Sequence, residues 1–250
     1  MAAPLYDFAL RMGDNALILG QQVSAWCGHA PVLEEDIALA NMALDLIGQA
    51  KLWLGFAGEV GGEGRTADNL AYLRDSREFQ NFLLVEQENG DFGKTLMRQF
   101  LFDAWHHPML TGLTSSSNAS VAEIAAKAVK EAKYHLERSA DLVIRLGDGT
   151  QESHDRMQNA VNALWPFTAE LTEADAIDEE MAATGVALPV SDVTETLKRH
   201  VAEVFQAAAL SAPEDVFMRR GGKTGMHTEH MGYVLAEMQS VHRAHPGAQW

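Results

Sequence analysis

The chain has 250 residues, nearly half of them apolar, which is ample for a real core and argues against disorder. Its 35 acids against 19 Lys plus Arg leave a formal net charge of −16. That balance opposes a nucleic-acid or anionic-membrane partner, because both select a positive surface. The single cysteine, Cys27, rules out an internal disulfide and reads as a buried small hydrophobe beside Trp26.

The elements follow in chain order. The opening stretch MAAPLYDFALRMGDN has no basic n-region, so no secretory signal is expected. Leu5, Ala9, Met12, Ala16, Leu19, Val23 and Trp26 step by four and three and predict a first helix with a heptad-like seam. Pro31 separates it from a second helix, whose expected seam is Ile37, Ala40, Leu44, Ile47 and Leu54. A shorter helix is expected from about Ala67 to Phe79, and Phe82–Val85, running into Asn89-Gly90, reads as a loop. Asp91 is the expected N-cap of a third long helix carrying Leu96, Phe100, Trp105 and Leu110, which Pro108 should kink or interrupt. Ser120 with Glu123 reads as a capping box opening a fourth helix, with Ala125, Val129, Ala132, Leu136 and Val143 as its seam and Gly147–Gly149 as its end. A fifth is expected over roughly Glu152–Met181 with a bend at Pro166, a sixth from Asp192 to about Leu210, and a last from Glu229 to about Arg243. No strand-like alternation competes and no window is apolar enough to span a membrane, which needs about eighteen residues. The expectation is one domain over residues 1–250: an all-α, ferritin-like long four-helix bundle with additional helices, in a reducing cytoplasm.

Bundles of that kind raise the question of a metal. KEAKYHLERS, residues 130–139, places Glu131 and His135 one turn apart on one helical face. A ferritin-like di-iron site takes a Glu from one helix of each pair and Glu-x-x-His from the other. No Glu in this chain is followed by a His three residues on, and among the Asp residues only Asp103 is, by His106. Asp45 on the second helix is followed at that spacing by Gly48. The count therefore describes a degenerate pseudo-site, Asp45, Asp103, His106, Glu131 and His135, in place of a ligand set. Glu131, His135 and Arg138 share one helix strip and are expected to satisfy one another, and acids such as Asp45 and Asp103, as a buried polar network. The competing reading is an active di-metal or mononuclear oxidase built from those same five residues.

Near the C-terminus, Arg219, Arg220 and Lys223 flank Gly221-Gly222, and His227 and His230 follow. Two His at this spacing lack further ligands nearby, and the glycines do not match a phosphate loop. The block reads as a Gly-rich turn into the last helix, with partner contact as the functional alternative. Met231, Val234, Leu235, Met238 and Val241 are the expected buried face of that helix. Trp26, Trp53, Trp105 and Trp165 read as core residues.

The blocks MGDNALILGQQVSAWCGHAP, DIALANMALDLIGQA, FLLVEQENGDF, DAWHHPML, KEAKYHLERS and RRGGKTGMHTEHMGYVLAEMQ, in this order from Leu5 to Trp250, resemble the non-catalytic, ferritin-like C subunits of bacterial ring-1,2-phenylacetyl-CoA epoxidases. The resemblance implies a structural subunit with no cofactor of its own and no catalytic residue. It implies a homologous partner that holds the di-iron centre, a small B subunit, and a reductase carrying FAD and an iron–sulfur cluster. That assembly epoxidises the ring of phenylacetyl-CoA with O₂ and NADPH. No nucleic acid and no membrane enter the picture.

Overall fold

The structure, a computed structural model, describes residues 2–248; Met1, Gln249 and Trp250, where the resemblance ends, lie outside the described residues. Among the described residues every regular element is helical, in keeping with a ferritin-like all-α architecture, and no helix is long and apolar enough to cross a membrane. The chain forms two compact units, Met1–Gln87 with Gly221–Trp250, and Glu88–Arg220.

The first unit is built on a hairpin of α1 (Ala2–Ser24) and α2 (Leu33–Gly61). The turn between them needs a left-handed residue, supplied by Gly28 (φ 81°), and Asp36 caps it by accepting from the Gly28 and Ala30 amides at 2.8 and 3.3 Å. Close packing of the pair runs through Gly13 and Gly20, seven residues apart on one face of α1. A Cβ at Gly13 would meet Leu54 at 2.7 Å, and one at Gly20 would meet Ile47 and Leu46 at 3.2 Å. The α1 seam is as expected over Ala9, Met12, Ala16, Leu19 and Val23, which are buried, while Leu5 is half-buried and Trp26 falls in the turn beyond Ser24, half-buried and not in the core.

The α2 seam is not. Leu39, Met42, Ala43, Leu46, Ala50, Trp53, Leu54 and Ala57 form its buried face, whereas Ile37 and Leu44 point outward, 53% and 67% exposed. Both faces of α2 are apolar, so periodicity alone cannot tell which one meets α1. Cys27 is also exposed, because α1 stops at Ser24 and the cysteine falls in the turn, off the seam. The unit is completed by α3 (Ala67–Tyr72), a 3₁₀ turn at Ser76–Glu78, and the C-terminal helix α4, Glu229–Ala244.

That last helix is anchored on the α3 region. Gln239 donates from Nε2 to the Ala71 and Arg74 carbonyls, both at 3.0 Å, and Arg243 donates to the Arg74 carbonyl at 2.9 Å. Arg74 is itself buried in a bidentate pair with Asp14 of α1 and lies over the Phe79 ring at 4.1 Å. Met231 and Leu235 are buried as expected, but Val241 is 56% exposed, because the packing against α3 uses Gln239 and not the apolar strip.

The second unit has its own long hairpin, α5 (Phe92–Leu113) and α6 (Ala119–Gly147), packed with α7 (Gln151–Leu164) and α9 (Val190–Ala207); α8 (Ala176–Ala183) is a short helix between them. Asp91 caps α5 by accepting from the Lys94 amide at 2.9 Å. Pro108 does not interrupt α5, which stays helical to Leu113 with Trp105, Met109 and Leu110 buried on either side of the proline. The α6 cap is Asn118, accepting from the Val121 amide at 3.2 Å, and the expected Ser120–Glu123 box lies inside the first turn. Pro166 ends the expected fifth helix instead of bending it: α7 stops at Leu164, and two 3₁₀ turns lead on to α8.

Candidate functional site

The hairpin of α5 and α6 brings together most of the sequence-predicted ligand candidates. Gln99, Asp103 and His106 recur at four and three residues along α5, and His135 and Ser139 are four apart on α6; all five are buried. Asp103 is the centre of the group. Gln99 donates from Nε2 to its Oδ1 at 2.7 Å, and Ser139 Oγ lies 2.9 Å from its Oδ2.

Burial raises the Asp103 carboxyl to about 8, against the opposing pull of Ser139, Gln99 and the positive charge of Arg138. Burial thus favours the carboxylic acid over the carboxylate. Its geometry accepts that state. Ser139 Oγ donates to Oδ2 when the carboxyl is charged; when it is neutral that bond reverses, and Ser139 turns its own hydrogen to the Leu136 carbonyl at 3.3 Å. His106 is equally discharged. Burial, reinforced by the neighbouring His135 and His107, lowers it to about 3. Its ring packs against both the Phe102 ring, 4.8 Å away, and the Trp105 ring, stacked at 5.9 Å, and its Nδ1 has no hydrogen-bond partner among the described residues.

A metal ligand set needs ionised carboxylates and free imidazole lone pairs converging on a point. Here the one acid buried in the hairpin has both oxygens tied to Gln99 and Ser139, which does not fit a dinuclear centre. Among the described residues no group of three or more His, Cys, Asp or Glu is placed to hold a metal ion. His135 is buried, Glu131 and Arg138 are half-buried beside it, and all three have interaction partners. Asp45 is half-buried on α2 in the first unit.

Sequence reasoning missed Gln99 and Ser139. The available signal was a polar residue at seam spacing on an otherwise apolar face: Gln99 four before Asp103, and Ser139 four after His135.

The C-terminal basic block disperses. Arg220 forms a bidentate pair with Glu173 at 2.5 and 2.7 Å, and Arg219 lies over the Phe167 ring at 5.7 Å, both within the second unit. In the first unit Lys223 lies over the Phe82 ring at 5.6 Å and His230 is half-buried. His227 turns inward to Glu86, a fully buried acid just after the Phe82–Val85 run.

Fold and site together define an all-α protein of ferritin-like architecture whose α5–α6 interior is closed by hydrogen bonds around a buried acid, Asp103. The chain belongs to the phenylacetic acid catabolic protein family, whose model matches residues 1–250. It is 49% identical over 246 residues to the C subunit of the 1,2-phenylacetyl-CoA epoxidase of Escherichia coli strain K12, covering 98% of this chain and 99% of that protein.

Proposed function

We propose that this chain is the structural, non-catalytic subunit of a multicomponent phenylacetyl-CoA 1,2-epoxidase, folded as one ferritin-like domain over residues 1–250 and working in the cytoplasm in aerobic phenylacetate degradation. It pairs with and stabilises a homologous di-iron catalytic subunit; a small B subunit and a reductase with FAD, an iron–sulfur cluster and NADPH complete the assembly. The similarity to an epoxidase C subunit over nearly its full length supports the assembly. What supports the non-catalytic role is Asp103, whose two carboxyl oxygens are already taken by Gln99 and Ser139, together with the lack of any Glu-x-x-His unit in the sequence. Asp45, Asp103, His106, Glu131 and His135 are then a degenerate pseudo-site, with no catalytic, cofactor-binding or metal role.

A subunit that works by docking needs a surface for its partner. The outward row Leu33, Ile37 and Leu44 on α2 is apolar and exposed, which a partner helix would cover. The segment carrying Arg219, Arg220, Lys223, His227 and His230 is the second contact in this reading. His227 serves it from inside, by holding the segment in place.

The test is co-expression with the di-iron catalytic subunit, followed by native mass and phenylacetyl-CoA turnover. The two chains should co-purify, and turnover should need both. Full turnover by the catalytic subunit without this chain would sink the proposal.

A further inference from the structure

Glu86 lies in the irregular stretch between Phe79 and Gln87 and is completely buried. Its carboxylate meets four donors. Oε1 accepts from the Thr228 amide at 2.6 Å and the Thr228 hydroxyl at 2.7 Å; Oε2 is 2.7 Å from His227 Nδ1 and accepts from Asn81 Nδ2 at 3.0 Å. Three of the four come from the two residues that lead into α4. The other ring nitrogen, His227 Nε2, faces the Phe79 carbonyl at 3.0 Å.

With Glu86 as a carboxylate, both His227 nitrogens point at atoms that can only accept. A neutral imidazole has one N–H, so it would leave one of these contacts as a lone pair against a lone pair. Only the doubly protonated ring satisfies both. We infer that His227 and Glu86 form a proton-dependent latch that holds the C-terminal segment, from Gly221 through α4, on the rest of its unit, and that loosens as the pH rises.

The surroundings agree with this. The His227 side chain is 4% exposed, yet it lines a cleft of about 370 Å³ with Ser76, Arg77, Thr228 and Glu229, which gives solvent a route to the ring. The charged groups facing the latch are Glu86 itself, Asp14 of α1 with its partner Arg74, and Arg77 and Glu229 at the cleft. Burial alone would lower the ring. The hydrogen bond to Glu86, its charge, the Phe79 carbonyl and the charge of Asp14 outweigh that, and His227 lies above its ordinary value.

The sign follows. The closed form keeps its proton to a higher pH than the open form, whose ring titrates near 6.5. Closure is at full strength below about 6.5 and is lost as pH rises through the raised value. Between the two, each pH unit lowers the closed-to-open ratio up to about tenfold.

The experiment is hydrogen–deuterium exchange of the full chain at pH 6 and pH 9, with rates corrected for the intrinsic pH dependence of amide exchange and α6 as internal reference. In the wild type, α4 and the 79–87 stretch should lose protection at pH 9 while α6 does not. His227→Gln cannot titrate and should show weakened protection of α4 that is the same at both pH values. Glu86→Gln removes the charge that raises the ring, so its loss should move to lower pH. Wild-type α4 protection that is unchanged between pH 6 and 9, or falls only in step with α6, overturns the latch. So does a His227→Gln protein that keeps the wild-type pH dependence. Should neither variant fold, the wild-type comparison decides.

Discussion

Asp103 shows how one residue's surroundings change what its type implies. An Asp three residues before a His invites a metal, but burial makes the charged form costly, and Gln99 and Ser139 can serve the neutral form once the Ser139 hydroxyl turns to the Leu136 carbonyl. The consequence is measurable. The folded chain holds the Asp103 proton to about pH 8 and the unfolded chain releases it near 3.8, so this residue lowers stability as pH rises between those values. His106 acts oppositely. It is protonated only in the unfolded chain between about 3 and 6.5, so its contribution to stability grows over that range. The two partly cancel in a wild-type pH profile, and a variant is needed to separate them. Asp103→Asn keeps the shape and the neutral state, and its melting temperature relative to wild type should be higher at pH 8.5 than at pH 4.5. An equal difference at both pH values would show that the carboxyl is not neutral in the folded chain.

A second residue-scale outcome concerns iron. Fe(II) reconstitution of the isolated chain followed by desalting should leave well below one iron per chain. About two per chain would restore the oxidase reading on Asp45, Asp103, His106, Glu131 and His135.

At the scale of the element, α2 is the instructive case. It has an apolar face toward α1, with Leu46 and Trp53 fully buried, and a second apolar row turned outward. The two faces should respond differently to substitution. Leu46→Ala removes buried methyl groups and should cost about 2–5 kcal/mol of stability, read by denaturant unfolding. Leu44→Asp changes an exposed position and should stay within about 0.5 kcal/mol, yet weaken co-purification with the catalytic subunit. A large loss of stability in Leu44→Asp would mean that the row is already covered within the chain. The helix ends repeat a lesson from α2: where two signals lay close together, sequence reasoning chose the more familiar one. It preferred a Ser-x-x-Glu box to Asn118, although an asparagine two residues earlier was an equally good acceptor for the Val121 amide.

Over the whole molecule, the helix inventory was legible from sequence because heptad spacing, caps and prolines are local. α1, α2, α5 and α6, the last helix, and the irregular stretch before Asp91 all lie close to where periodicity puts them. The missing Glu-x-x-His units were equally plain, since that motif is a matter of spacing along one helix. What spacing could not supply was any relation between residues distant in the chain. Which face of α2 meets α1 depends on the packing of two separate helices, closest where Gly13 and Gly20 of α1 meet Leu54, Leu46 and Ile47. That Ser139, 36 residues from Asp103, completes its hydrogen bonds was decided by the α5–α6 hairpin. That Glu86 is buried against His227, 141 residues away, was decided by the return of the C-terminal segment to the first unit. Helix formation depends on neighbours within a turn or two, and the sequence by itself determined it. The charge state and partners of a buried polar group depend on what the fold brings beside it, and only the tertiary structure decides that.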